Sequence, residues 1–302
     1  MVTTGGSCDI LIIEMNFCRE MKKLGSFAVK ALHLYFSAQN GGLNVARIYP
    51  LFSSSKGNCT YIGTKEQGIL VDDGVSYSRL CKALELNGLS PECIKAVFIT
   101  HEHSDHTKGL ALLTNKQPVT VYAQAYTLEV LLDSGCIKGG YEELKDNTDI
   151  YGMNIRCFPT DHDTRESCGY RITFEDGKSC AVCTDLGHVT DIVEESLLGT
   201  DAVLLEANYD VEMLRNGPYA YYLKTRIFSN SGHLSNDDCG KFAAKLIENG
   251  TTRLILGHLS QENNTPSVAE ETVLKYLDGY VRNADYMLSV APVETSGGFV
   301  AF

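Results

Sequence analysis

The stretch Thr100-His101-Glu102-His103-Ser104-Asp105-His106 constrains this chain more than any other. It follows the apolar run Ala96-Val97-Phe98-Ile99, so four potential metal ligands fall where a β-branched and aromatic strand pattern stops. In an extended chain alternate side chains share a side. His101 and His103 therefore point together and Glu102 points away, while Asp105 and His106 lie in the turn that follows. Such an arrangement suits a two-metal centre, and imidazole with carboxylate suits zinc, manganese or iron better than calcium or magnesium. A solvated His-rich loop is the plain alternative. Three of the eight histidines within six residues argue against it.

Composition narrows the setting of such a centre. A chain of 302 residues with 44% hydrophobic and 21% charged residues has the profile of a soluble globular protein. There is no apolar run of membrane-spanning length, and the patch Ile10-Leu11-Ile12-Ile13 lacks a basic stretch ahead of it, so the expected location is cytoplasmic. Eleven scattered cysteines, an odd count, fit reduced and mostly buried thiols. Cys180 and Cys183 lie on one predicted strand, three residues apart, and so face opposite sides and would not chelate one ion together. The net charge of −12 argues against strong nonspecific binding of nucleic acid. It leaves room for a local basic rim.

Residues 1–44 differ from the remainder. An amphipathic segment, Phe17 to Phe36, leads to the polar break Ser37-Ala38-Gln39-Asn40-Gly41-Gly42, which reads as a weakly packed extension on a flexible linker. From Val45 the pattern turns to short strands (Val45–Phe52, Cys59–Gly63, Gly68–Val71) and then to alternating helices and strands. The helices are expected at Ser78–Asn87, Thr107–Asn115, Ala125–Ser134, Ile192–Leu198, Asn236–Glu248 and Ser267–Tyr280. Two layers of β with helices outside each is the economical packing. The loop Ser53-Ser54-Ser55-Lys56-Gly57-Asn58 has the small polar residues that present N–H groups and hydroxyls to an anion, and equally those of a hairpin turn. On the first reading Ser55, Lys56 and Asn58 touch substrate.

Four further polar residues close strand-like runs as the central motif does: Asp72, His162, Asp185 and His258. Leu70-Val71-Asp72-Asp73-Gly74, the His101-x-His103-x-Asp105-His106 run, His162, Asp185 and His258 together resemble the five ordered motifs of the metallo-β-lactamase superfamily. The resemblance spans about residues 45–300 and implies an α+β fold, a four-layer αββα sandwich with metals at one edge. It implies that His101, His103 and His162 hold one divalent ion and Asp105, His106 and His258 another, with Asp185 bridging and Asp72 orienting ligands by hydrogen bonds. Having His103, and not a carboxylate, in its place resembles the hydrolytic branches rather than the di-iron oxygen-reducing branch. Longer runs are similar to the WalJ/YycJ-like branch: Leu51-Phe52-Ser53-x-Ser55-Lys56-Gly57-Asn58, Leu205-Glu206-Ala207-Asn208-Tyr209-Asp210, Ser231-Gly232-His233-Leu234-Ser235-Asn236 and Leu256-Gly257-His258-Leu259-Ser260. Roughly seventy residues between Asp185 and His258 are too few for the β-CASP domain of the larger nucleases. His188 departs from the branch and reads as a loop residue.

A complete ligand set implies two-metal hydrolysis by an ion-bridging hydroxide, with Asp105 able to orient or deprotonate that water. His233, with Glu206 holding its other nitrogen, is the candidate general acid by analogy with the tRNase Z branch; the same segment also reads as a helix cap with Ser235 or Asn236. Lys56, Lys224 and Arg226 are candidate phosphate contacts or ordinary solvated charges. The expected function is that of a metal-dependent phosphodiesterase or nuclease, exonuclease-like on DNA or RNA. Hydrolysis of a small ester, thioester or lactam is the second reading, and a metal-stabilised interaction module the third. Nothing in the sequence sets an oligomeric state.

Overall fold

The computed structural model describes residues 46–302. The reading of residues 1–44 as an extension lies outside the described residues. Among the described residues, fourteen strands form two seven-stranded sheets. The first has the order β14-β1-β2-β3-β4-β5-β6, from β1 (Arg47–Ser54), β2 (Gly57–Gly63), β3 (Gly68–Val71), β4 (Ile94–Phe98), β5 (Thr120–Ala123), β6 (Gly140–Glu143) and β14 (Val300–Ala301). The second has the order β13-β12-β11-β10-β9-β8-β7. Its strands are β7 (Thr148–Ile150), β8 (Met153–Pro159), β9 (Cys168–Phe174), β10 (Ser179–Cys183), β11 (Ala202–Glu206), β12 (Arg253–Gly257) and β13 (Met287–Val290).

Period-two alternation decides which residues face which layer. Ile69, Val71, Ala96 and Phe98 point between the sheets, where they meet Ile155, Tyr170, Ile172, Val182 and Leu204. Their neighbours Leu70, Val97 and Ile99 point outward, against Leu80 and Leu84 of α1 (Tyr77–Leu86), Leu110 and Leu113 of α3 (Leu110–Lys116), and Leu128 and Leu131 of α4 (Ala125–Asp133). On the far side of the second sheet, Ala181, Val203, Leu205, Leu254 and Leu256 pack on α5 (Asp191–Leu197), α8 (Asn236–Glu248) and α9 (Pro266–Tyr276). Helix, sheet, sheet and helix are the four layers expected. Cys180 belongs to the layer between the sheets and Cys183 to the outer layer. That separates the pair as strand geometry requires.

The expected helix Thr107–Asn115 is divided. It forms the single turn α2 (Ser104–Thr107) and, after Lys108-Gly109, the helix α3. At the break the Gly109 N–H donates to the Asp73 carbonyl at 2.8 Å. A Cβ at Gly109 would lie 2.1 Å from the Val75 carbonyl. Helix α9 ends at Tyr276, short of the expected Tyr280. Two short helices, α6 (Val211–Asn216) and α7 (Tyr221–Ile227), occupy a stretch with no expected element. Strands β6, β7, β13 and β14 were likewise not foreseen.

Direction of the strands is what positions a site. β3, β4 and β5 run parallel to one another, as do β10, β11, β12 and β13. Parallel strands deliver their carboxyl ends to one edge, and ligands gather there. Tyr170 Oη donates to the Ile99 carbonyl at 2.6 Å, and the His258 N–H to Ser53 Oγ at 2.8 Å, so the two sheets are tied together at that edge.

Close backbone approach beneath this edge yields a stability prediction. A Cβ on Gly74 would sit 1.6 Å from the Asp105 carbonyl, whereas one on Gly140 meets nothing nearer than 3.5 Å. Gly74→Ala is expected to destabilise by about 1–3 kcal/mol, the usual range for overpacking. Gly140→Ala should stay within about 0.5 kcal/mol, as for a surface substitution. Urea midpoints of the two variants check this.

Candidate metal centre

Each candidate ligand sits at or just past a strand end on the tied edge. Asp72 follows β3, the His101–His106 run follows β4, His162 follows β8, Asp185 follows β10, and His258 follows β12. Asp72, Asp185 and His258 have left-handed backbones, with φ of 62°, 60° and 54°. Left-handed φ is uncommon for a side-chain-bearing residue, less so for Asp and His, and it turns the chain sharply as it leaves the sheet. Past β4 the extended alternation persists without ladder bonds. His101 and His103 bring Nε2 and Nδ1 within 3.0 Å, and Glu102 turns away to accept from Thr164 Oγ1 at 2.5 Å.

Two triads result. His101, His103 and His162 bring their ligand atoms together, and so do Asp105, His106 and His258. Asp185 lies between them, with Oδ2 3.4 Å from His106 Nε2 and Oδ1 3.8 Å from His162 Nε2 and 3.5 Å from His258 Nδ1. Six of the eight histidines thus share one edge, counting His233.

Proton positions follow from the acceptors behind each ring. Asp72 Oδ2 takes the Nδ1 proton of His106 at 2.8 Å. Thr100 Oγ1, itself donating to Asp72, lies 3.0 Å from His101 Nδ1. The Gly232 carbonyl lies 3.1 Å from His162 Nδ1, and Glu206 Oε1 2.8 Å from His258 Nδ1. In each ring the nitrogen away from the backing group faces the shared space. His258 Nε2 and Asp185 Oδ2 are buried there without a hydrogen-bond partner in the protein. A buried polar atom without a partner is costly. Unpartnered donors of this kind, backed by fixed acceptors, fit two divalent cations held by nitrogen and oxygen.

The electrostatics point the same way. Burial raises the carboxyls of Asp185 and Glu206, but neighbouring imidazoles outweigh it and hold both below the usual range. Burial lowers the His258 imidazole, yet Asp185 and Glu206 lift it to about 9. His101 lies among other rings, and burial together with their charges pushes it well down. The adjacent Asp73 stands apart. Burial and the Asp72 charge push it up to about 8, and neither of its oxygens has a hydrogen-bond partner.

Glu206, His233 and His258 also form a group with Asp185 that satisfies ligand distances. The Glu206 oxygens are already engaged: Oε1 accepts from His258 and His233 at 2.8 Å each, and Oε2 accepts from the N–H groups of Leu186 and Leu234. It is thus placed against two imidazoles at once. His233 keeps a partly exposed side chain, 20% accessible, at the rim. Ser235 caps α8 through its own hydroxyl, so the cap does not require His233.

The expected substrate contacts separate. Asn58 reaches the centre, with Nδ2 3.1 Å from His106 Nε2 and 3.4 Å from Asp105 Oδ2. Ser55 and Lys56 are exposed at the tip of the β1–β2 hairpin. Lys224 Nζ donates to the Arg215 carbonyl, and Arg226 pairs with Asp163, whose Oδ1 lies 3.0 Å from His162 Nε2. His188 sits in a loop with Nδ1 3.0 Å from the Asn230 carbonyl. Sequence reading missed Thr100, Asn208, the Gly232 carbonyl and the second bond of Glu206. Asn208 donates to the His258 carbonyl at 2.8 Å. The run Leu205-Glu206-Ala207-Asn208 already marked two of these positions, without their partner.

Comparison with known proteins agrees with this geometry. A family model described as "Beta-lactamase superfamily domain" matches residues 68–259. "Exodeoxyribonuclease WalJ" of Streptococcus pneumoniae serotype 2 is 36% identical over 233 residues, covering 75% of this chain and 86% of its own. "Exodeoxyribonuclease YycJ" of Bacillus anthracis is 34% identical over 235 residues, covering 76% and 88%. Among solved structures, the metallo-β-lactamase fold protein YhfI of Bacillus subtilis superposes with a TM-score of 0.63 at 15% identity, over 83% of this chain and 98% of its own. The fold expected from the sequence is borne out, and the chain belongs to the metallo-β-lactamase superfamily, in its WalJ/YycJ-like branch.

Proposed function

We propose that residues 45–302 are a hydrolase unit that cuts phosphodiester bonds in DNA, an exonuclease using two divalent ions. The observation that carries this reading is the pair of triads joined by the buried, unpartnered Asp185 oxygen. Relatives named exodeoxyribonuclease, at 34% and 36% identity over most of both chains, select the substrate class. Imidazole and carboxylate donors favour zinc, with manganese or iron next. Bound there, the ions supply Lewis acidity and an activated water at neutral pH.

His101, His103 and His162 would hold one ion and Asp105, His106 and His258 the other, with Asp185 within reach of both sets. Asp72 and Thr100 fix the tautomers of His106 and His101, and Glu206 fixes that of His258. Glu206 also accepts the Nδ1–H of His233, so that in the imidazolium form the second proton lies on Nε2 at the open rim, from which it passes to a departing alkoxide. Asn58 is placed to touch a phosphate oxygen beside His106, and Asp105 to steer a water. Arg226 is the nearer candidate cation, held at the rim by Asp163. Ser55 and Lys56, exposed at the hairpin tip, and Lys224, on the Arg215 carbonyl, make no contact with the candidate ligands. No helix among the described residues is long and apolar enough to cross a membrane.

Three substitutions separate these roles. His103→Ala should lower both metal content and DNA cleavage, the latter by more than about 100-fold. His233→Ala should lower turnover by about 100- to 10,000-fold with metal content intact, the range for a general acid. Glu206→Gln, which touches both His233 and His258, should lower metal affinity by about 10- to 100-fold as well as turnover. Elemental analysis beside a labelled-DNA assay reads all three; a His233→Ala variant with wild-type turnover removes that residue from the reaction.

A further inference from the structure

A cleft of about 660 Å³ opens beside the first triad, with His162 in its wall. The β8–β9 connection forms one side, the start of α4 another, and the segment Ser229-Asn230-Ser231 after α7 a third. That volume falls within the range of about 300–1,000 Å³ for sites that take one small molecule. It suits a single nucleoside and not a run of strand.

The chemistry of the walls selects the part of a nucleotide that fits. Two carboxylates, Asp161 and Glu166, stand against one guanidinium, Arg165, so a phosphate gains nothing there. Most of the other side chains are hydroxyls and amides, among them Thr164 and Asn230. Uncharged donors and acceptors match a base edge and a sugar. Gln124, immediately before α4, has a buried Oε1 without a hydrogen-bond partner in the protein, and its side chain caps no helix N–H. A carboxamide carries two donors and an acceptor, so rotation about its last bond lets it meet the edge of any base. Arg165 supplies a plane. Its Cζ lies 4.8 Å from the centroid of the Tyr126 ring, and the Tyr126 N–H donates to Glu166 Oε2 at 2.8 Å. The other face of a guanidinium stacked in this way is a surface on which a base lies well.

We propose that this cleft is a subsite for the terminal nucleoside of a DNA strand, its base against Gln124 and Arg165 and its linking phosphate at the ions beside His162. The proposal rests on the nuclease reading above and accounts for removal of one residue from an end. It places no demand on pairing beyond that last residue, so a duplex end qualifies once its final pair opens.

The test uses the metal-loaded full chain and labelled duplex DNA whose terminal residue lacks its base, at the 5′ end in one substrate and at the 3′ end in another. Intact DNA and DNA with an internal abasic residue are the controls. For the end that enters the cleft, loss of the terminal base should raise the wild-type KM by about 5- to 100-fold, the span of one good base contact. The internal abasic residue should leave the initial rate unchanged. Gln124→Ala and Arg165→Ala should each raise KM on intact DNA by about 2- to 10-fold and shrink the penalty for the missing base by the same factor. Metal content and melting curves of both variants should match the wild type, which separates a lost contact from a lost fold or a lost ion. A wild type indifferent to the terminal base at both ends overturns the subsite and leaves the nuclease reading standing, as does a full penalty in both variants. A metal-loaded wild type that cuts no intact DNA strikes the nuclease reading first, and the subsite falls with it.

Discussion

Four buried carboxylates (Asp72, Asp73, Asp185, Glu206) crowd one edge of this sandwich, and the way each is neutralised determines everything around it. An isolated charge in a protein interior is prohibitively expensive. Asp73, with no hydrogen-bond partner, is pushed toward its protonated form by burial and the Asp72 charge. The other three are matched to imidazoles. Asp72 and Glu206 each accept from the ring nitrogen behind a candidate ligand, and Asp185 stands among His106, His162 and His258. Stability and function are coupled here, since removing one partner strands the other as an uncompensated buried group.

Such matching demands that side chains arrive from many strands at one height. Parallel pairing supplies the common edge, and the left-handed residues Asp72, Asp185 and His258 supply the turn. Each adopts a backbone that costs of order 1–3 kcal/mol unless its surroundings enforce it. The surroundings do so by engaging their N–H groups: the Asp72 N–H donates to the Phe98 carbonyl, and the His258 N–H to the Ser53 hydroxyl oxygen. Sheet pairing thus holds strained residues at the positions where their donors point inward together.

Much of this could be read from the chain in advance because it is written in local periodicity. The runs Gly68-Ile69-Leu70-Val71 and Ala96-Val97-Phe98-Ile99 alternate between two buried layers, and a polar residue ends each. Edge strands β6 and β7 carry no such signal, since all of β6 is exposed and none of β7 is fully buried. α6 and α7, of six and seven residues, are too short for a helical period to emerge and depend on Tyr209, Leu214 and Ile227 meeting in three dimensions. For the same reason the bond from Glu206 to His258 had no local trace: its partners are 52 residues apart. The break at Lys108-Gly109 is also tertiary, set by the Asp73 carbonyl and not by helix propensity.

A chain with a net charge of −12 that acts on a polyanion cannot draw its substrate by overall Coulomb attraction. Most nucleic-acid binders gain affinity by releasing counterions through many lysines and arginines, and lose it steeply as salt rises. Here positive charge would be concentrated at the two ions and a few rim cations, which restricts favourable electrostatics to the one phosphate being cut. The remaining binding energy must come from contacts indifferent to net charge.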